Sequence, residues 1–260
     1  MTYKILGSPG AEIIQMRKRK GKIHIGTSGW HYKHWTGTFY PETIKGSRQF
    51  DEYKKNFETV EINNSFYKLP SDKTFRQWAL AAPKGFIYAI KASRFITHIK
   101  KLSVDMDSIL LLLSRVDKLE EKLGPILFQL PPGWMVNVER FREFLEKIPY
   151  GYRYTFEFRN PSWYKKEIYE LLKQHHCAFC IYELAGHISP MEVTADFVYI
   201  RLHGPGDKYQ GSYSVATLKK WAADCNKWIN DGLDVYVYFD NDQEGYAAFN
   251  AITLKELIAA

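Results

Sequence analysis

The feature that most constrains this chain is an alternation. Eight short runs rich in Val, Ile, Phe and Tyr are separated by longer stretches whose apolar residues recur at helical spacing. The short runs are Ile23–Ser28, Thr59–Asn63, Phe86–Lys91, Ile126–Leu130, Tyr154–Phe158, Ala178–Glu183, Phe197–His203 and Val235–Asp240. Such enrichment predicts buried strands. The clearest helical stretch is Asp107–Leu123, where Ile109, Leu112, Leu113, Val116, Leu119 and Leu123 fall on one stripe. Further helices are expected over Arg48–Asn56, Thr74–Ala82, Val138–Ile148, Lys165–His175, Val215–Asn230 and Ala247–Ala260. Gly186–Thr194 is too short and proline-broken for a good one. Strands alternating with helices imply parallel pairing through right-handed crossovers. A doubly wound dinucleotide-binding sheet would carry G-x-G-x-x-G after its first strand. Here that position reads Gly29-Trp30-His31-Tyr32-Lys33-His34. The predicted fold is therefore α/β, a single (β/α)8 TIM-type barrel over residues 23–260 with an incomplete sixth helix, near the usual barrel size of about 250 residues.

Residues 1–22 precede the first strand and are expected to form a basic arm. The chain carries a net charge of +7, and Arg17, Lys18, Arg19, Lys20 and Lys22 supply five of those charges. A basic run ahead of a folded domain is usually solvated, and less often a nucleic-acid tether. Met1–Met16 lacks the charged-then-apolar order of a secretory signal. The longest unbroken run of Ile, Leu, Val, Phe or Met is Ile109–Leu113, too short for a bilayer span of about 20 residues. A cytoplasmic location with no membrane partner is the expectation. Cys177, Cys180 and Cys225 cannot form an even disulfide framework. No second pair completes a zinc site around Cys177-Ala-Phe-Cys180, and all three are expected to be buried.

Barrels of this type place their chemistry at the C-terminal ends of the strands. Glu61 and Asn63, Glu157 and Arg159, and Arg201 and His203 are spaced two apart, so each pair shares a strand face. Lys91 ends the third strand, Gln129 lies near the end of the fourth, and Asn241 follows the eighth. If those faces point inward, acids, guanidinium groups and an imidazole meet at one mouth. Glu61, Glu157 and His203 are the candidates for proton transfer. Trp30, Asn63, Lys91, Gln129, Arg159, Trp163, Arg201, Gly204 and Asn241 are the candidates for ligand binding. Gly204–Gly211 carries three glycines after the seventh strand, where many barrels hold phosphate, so its amides with Arg201 could cradle an anion. A plain turn would carry the same glycines. Asp240, Asp242 and Glu244 superficially resemble a calcium loop, but Ala251 stands where its last ligand would be. The bland alternative for the whole set is an inward ion-pair layer, a poor stabiliser beside packed apolar residues.

Gly26-Thr27-Ser28-Gly29-Trp30, with Trp35 and Phe39-Tyr40-Pro41, resembles the opening of the YecE-like family. The similarity continues through Val60-Glu61-Ile62-Asn63, Ser65-Phe66-Tyr67, Lys91 and Ile96-Thr97-His98. Leu123–Pro132, Glu157-Phe158-Arg159 with Trp163, Tyr199–Gly204 and Tyr238–Asp242 fit as well. The blocks run in order from about Ile23 to the C-terminus. The resemblance implies a TIM-type barrel and no established reaction; family members often carry Asn or Asp where Glu183 stands.

The leading functional expectation is binding or processing of a phosphate-containing ligand, a small molecule or a nucleic acid, at the barrel mouth. Arg159 and Arg201 would fork onto phosphate, and His203 would move protons. As an enzyme it would be a hydrolase acting on a phosphate ester. Glu61 or Glu157 would then act as base or would ligate a divalent metal, although the His, Asp and Glu set is thin for a multi-metal nuclease. One alternative is a non-enzymatic interaction scaffold. The other is a glycoside hydrolase or sugar binder using Glu61 and Glu157 with aromatic platforms. Those two acids sit on nearly opposite strands, a wide gap for carboxyls needed within about 9.5 Å of each other.

Overall fold

The structure is a computed structural model and describes residues 19–259. Eight parallel strands form the staves of a nearly closed barrel: β1 (Ile23–Thr27), β2 (Thr59–Ile62), β3 (Ile87–Lys91), β4 (Leu123–Leu130), β5 (Tyr154–Phe158), β6 (Ala178–Leu184), β8 (Phe197–Leu202) and β9 (Asp234–Phe239). They are hydrogen-bonded in the order β1-β9-β8-β6-β5-β4-β3-β2. Outside them lie α1 (Arg48–Asn56), α2 (Asn64–Tyr67), α3 (Asp72–Ala81), α4 (Met106–Val116), α5 (Val138–Lys147), α6 (Lys166–Gln174), α7 (Val215–Asn230) and α8 (Tyr246–Ala259). Side-chain oxygens cap several starts: Asp105 accepts from Ser108 N at 2.9 Å, Asn137 from Arg140 N at 2.9 Å and Ser214 from Thr217 N at 3.2 Å. Such caps are each worth about 1 kcal/mol.

Strand alternation divides the core in two. One face packs on the helices in a large outer cluster. The other fills the lumen with Ala89, Leu127, Ala178, Cys180, Phe197, Tyr199, Tyr236 and Tyr238. Large tyrosines opposite small alanines fill the interior, as packed barrels require. Cys177, Cys180 and Cys225 are buried free thiols.

The seam between β1 and β2 closes without a ladder. A Cβ on Gly26 would lie 2.3 Å from the Thr59 carbonyl oxygen, so glycine lets the two backbones meet. Tyr53 of α1 replaces the missing bonds. Its hydroxyl accepts from Thr27 N at 3.0 Å and donates to Thr59 O at 2.9 Å.

Two sequence expectations change at element boundaries. The predicted helix Asp107–Leu123 stops at Val116; Asp117–Lys122 forms a tighter 3-10 turn with Glu120 at φ 55, and β4 begins at Leu123. The apolar stripe survives because a 3-10 turn also brings residues three apart onto one side. Lys122 Nζ holds that turn against α3 by donating to Ala82 O at 2.8 Å. After β6 the helix is absent. Residues His187–Ile188 form β7, antiparallel to the end of β6. Ser189 Oγ accepts from Tyr182 N at 2.9 Å and Thr194 Oγ1 from Phe179 N at 2.8 Å, covering strand amides with side chains.

Of the predicted basic arm, residues 19–22 are described and the rest lies outside the described residues. Arg19 Nη2 lies 3.3 Å from Asp234 Oδ1, and Lys22 N donates to the same oxygen at 2.9 Å. Gly21 N donates to Ile229 O at 2.8 Å and Val235 N to Lys22 O at 2.7 Å. These residues are laced to the barrel floor. Among the described residues no helix is long and apolar enough to cross a membrane.

Candidate functional site

At the C-terminal ends of the strands, inward-facing positions converge from around the barrel. Arg201 on β8 is the centre and is fully buried. Its Nη2 donates to Glu61 Oε1 at 2.6 Å and its Nε to the same oxygen at 3.2 Å. Its Nη1 donates to Glu157 Oε2 at 2.9 Å, and Nη2 also reaches Asp240 Oδ2 at 3.3 Å. Glu61 Oε2 accepts from Tyr199 OH at 2.6 Å, and Oε1 accepts from Ser28 Oγ at 2.7 Å. Arg159 Nε donates to Glu157 Oε1. The period-two spacing thus brings together Glu61, Glu157, Arg159, Arg201 and His203.

Electrostatics follow from this geometry. Burial alone would raise the Glu157 carboxyl, but the guanidinium groups of Arg159 and Arg201 hold it well below the usual range. Asp240 is likewise held down, burial opposing, by the His203 hydrogen bond and Arg201. Arg159 Nη2 lies 2.8 Å from His203 Nε2, and His203 Nδ1 lies 3.0 Å from Asp240 Oδ2. A guanidinium can only donate, so Nε2 accepts and Nδ1 carries the proton to Asp240. Burial and then Arg201 bring the Lys91 amine down to about 8, against the opposing pull of Glu157, Glu61 and Asp240. Burial, Lys91, Arg94 and Arg159 bring His98 to about 4.

Arg159 is the cation that reaches outward. Its side chain is 7% exposed, its guanidinium lies 4.8 Å over the Tyr182 ring, and it borders a cleft of about 370 Å3. Gln129, His187, Lys208 and Tyr209 share that cleft. Among the described residues no partner satisfies Arg159 Nη1. A second cleft of about 310 Å3 is lined by Trp30, Trp78, Asn63 and Tyr32, and Asn63 Oδ1 is buried without a partner among the described residues.

Other predicted ligand contacts are placed differently. Arg201 has all three nitrogens committed to carboxylates, so it orders the site from beneath and cannot fork onto phosphate. Trp163 is fully buried, donating from Nε1 to Trp134 O at 2.8 Å and stacking on Phe158, so it presents no surface to a ligand. Gly204 has φ +112, and a Cβ there would lie 2.3 Å from Gln210 O. Its amide donates to Tyr213 OH at 3.0 Å, while Tyr209 N donates to His203 O at 2.7 Å. The loop is therefore a tight turn in which these two amides are spent internally. Asn241 donates to Gly211 O at 2.9 Å and to Asn250 Oδ1 at 2.9 Å, a loop brace. Glu183 points outward and accepts from Trp221 Nε1 at 3.2 Å.

Sequence reasoning missed Tyr199 and Tyr182 at the mouth. Counting back by two from Arg201 reaches Tyr199, so that signal was present. Among the described residues no three His, Cys, Asp or Glu side chains gather in a way that could hold a metal ion.

Residues 24–260 match the sequence profile described as protein of unknown function DUF72. The UPF0759 protein YunF of Bacillus subtilis is 24% identical over a 273-residue alignment covering 91% of this chain and 94% of that one. The UPF0759 protein YecE of Escherichia coli is 26% identical over 145 residues, 55% of this chain and 51% of its own. A crystal structure of a DUF72 family protein from Thermotoga maritima superposes with a TM-score of 0.83 at 28% identity, covering 92% of this chain and 100% of that one.

Proposed function

The chain belongs to the DUF72 family, whose description assigns no reaction, and from the site itself we propose that it binds a phosphate-containing small molecule at the mouth of the barrel. The observation that carries this reading is Arg159: a nearly buried guanidinium, its Nη1 without a partner among the described residues, that lines a cleft of about 370 Å3 together with Lys208 and Gln129. Guanidinium donors in a fork suit phosphate oxygens. Lys91 adds a second cation at the same level. Arg201 holds Glu157, and Glu157 fixes one edge of Arg159, leaving its other edge for the ligand. Three carboxylates offset the two guanidinium charges. Attraction therefore comes from directed donors rather than from a positive field, and the affinity will be modest. An anion that draws Nη2 away from His203 leaves Nε2 as an open base beside the ligand, which suits hydrolysis of a phosphate ester. The glycosidase reading loses support because Arg201 lies between Glu61 and Glu157 and ties up an oxygen of each.

Calorimetric titration with phosphate, pyrophosphate and a short oligonucleotide tests the proposal. Binding of the small anions is expected, with Arg159→Lys weakening it about tenfold because the fork is lost. Absence of anion binding by the parent protein, with large stability losses in the site variants, would leave a salt-bridged lid serving an interaction scaffold.

A further inference from the structure

We propose that Lys91 is a carbonyl-capturing amine, forming an imine with an aldehyde or ketone group of the ligand held at the mouth. The inference rests on the phosphate reading for the ligand's second handle, and names the substrate class as phosphorylated carbonyl compounds. Lys91 ends β3 on the inward face, two residues beyond lumen-facing Ala89. Its Nζ lies 4.6 Å over the Phe66 ring. Among the described residues no carboxylate or other acceptor pairs with it. Arg201 and Arg159, the other cations of this layer, are both held by carboxylates. A lysine kept only for stability would be paired, since burying an uncompensated charge is costly. Burial and the Arg201 guanidinium weaken this amine's hold on its proton, so it is neutral more often than an exposed lysine while remaining mostly a cation at pH 7.

The neutral form is the nucleophile. The groups bearing on the amine are Arg201 from β8, Glu157 from β5, Glu61 from β2 and Asp240 after β9, with burial the largest influence. At about 8 instead of 10.5, the amine is neutral roughly 300-fold more often near pH 7. The lone pair of Nζ adds to the carbonyl carbon, and the oxygen takes up a proton to give a carbinolamine. Nζ then returns a proton to solvent, the hydroxyl takes up a second one, and the oxygen leaves as water while the nitrogen lone pair forms the C=N bond of a protonated imine, without oxidant or reductant. His98 lies edge-on to the same Phe66 ring at 4.9 Å and is held neutral near pH 7, so it adds no second positive charge beside the amine.

Reductive trapping on the full chain decides the matter. The protein is incubated separately with glyceraldehyde 3-phosphate and with glyceraldehyde, reduced with sodium borohydride, and mapped by peptide mass. Lys91 is expected to be labelled at least tenfold faster than an exposed lysine such as Lys84, with a pH midpoint near 8. Lys91→Arg should abolish that adduct. Lys91 unlabelled, or labelled no faster than Lys84, overturns the inference even if calorimetry shows phosphate binding. Equal capture of both aldehydes, unslowed by inorganic phosphate, leaves the imine standing and removes the phosphate reading instead.

Discussion

Arg201 carries more of this site than any other side chain, and removing it leaves Glu157 with Arg159 alone and Glu61 with only the Tyr199 and Ser28 hydroxyls. Breaking a buried ion pair from one side costs about 3–5 kcal/mol. Arg201→Met should lose that much in urea unfolding at unchanged m; a loss below about 1 kcal/mol would show that the carboxylates are compensated elsewhere. Acid should act on the same network. Glu157 and Asp240 have carboxyls held below their ordinary values of 4.5 and 3.8, so the folded chain binds their protons less readily than the unfolded one. The stability they supply is complete above those ordinary values and is lost as pH falls through the folded-state ones. Thermal melts from pH 7 to pH 3 should therefore be flat at first and then drop, with a shallower drop in Arg201→Met. A flat profile down to pH 3 would contradict the lowered values. Glu61, Glu157, Arg159, Arg201 and His203 were legible because period two needs no knowledge of neighbours. That no nitrogen of Arg201 remains free was not legible, because its partners come from β2, β5 and the end of β9. Trp163 was misread for a related reason: a ring one turn beyond a strand end can fold over the mouth or under it.

Tyr53 does for the β1–β2 seam what backbone ladders do elsewhere. Tyr53→Phe removes an acceptor for Thr27 N and a donor for Thr59 O, both buried. Leaving such groups unpaired costs about 1–3 kcal/mol each. A loss of about 2–4 kcal/mol in chemical denaturation is expected, and one under 0.5 kcal/mol would mean that the strands bond directly once the hydroxyl is gone. Strand count and helix spacing made the eight staves readable. The ladderless seam was not readable, since nothing in Ile23–Ser28 or Thr59–Asn63 distinguishes strands that pair from strands that merely touch. The end of α4 was hidden because Leu119 and Leu123 keep helical spacing through a turn that is not α-helical. The missing sixth helix was legible, because Pro190 and the shortness of Gly186–Thr194 leave no room for one.

For the molecule as a whole, the charge is largely a property of its beginning. Deleting residues 1–18 should shift the melting temperature by less than about 2 °C. Deleting through Lys22 should lower it by about 3–8 °C, because the bonds to Asp234, Val235 and Ile229 are lost. Equal melting temperatures for the two deletions would show that the floor contacts contribute nothing. If oligonucleotides bind, the longer deletion should also flatten the salt dependence of binding. The boundary at Lys22 followed from charge, and charge cannot reveal that Gly21 and Lys22 bond to the floor through their backbones. The seam has a last consequence at this scale. Under a pull directed across the barrel wall, every other junction shares the load over at least two paired backbone positions, whereas the β1–β2 junction passes it through side chains, the Tyr53 phenol and the Ser28–Glu61 bond. The cylinder has a clasp, and it comes undone there before any stave is stripped. The first interior residues bared by mechanical failure are therefore Thr59 and Glu61, beside the mouth, so force and chemistry meet on the same strand.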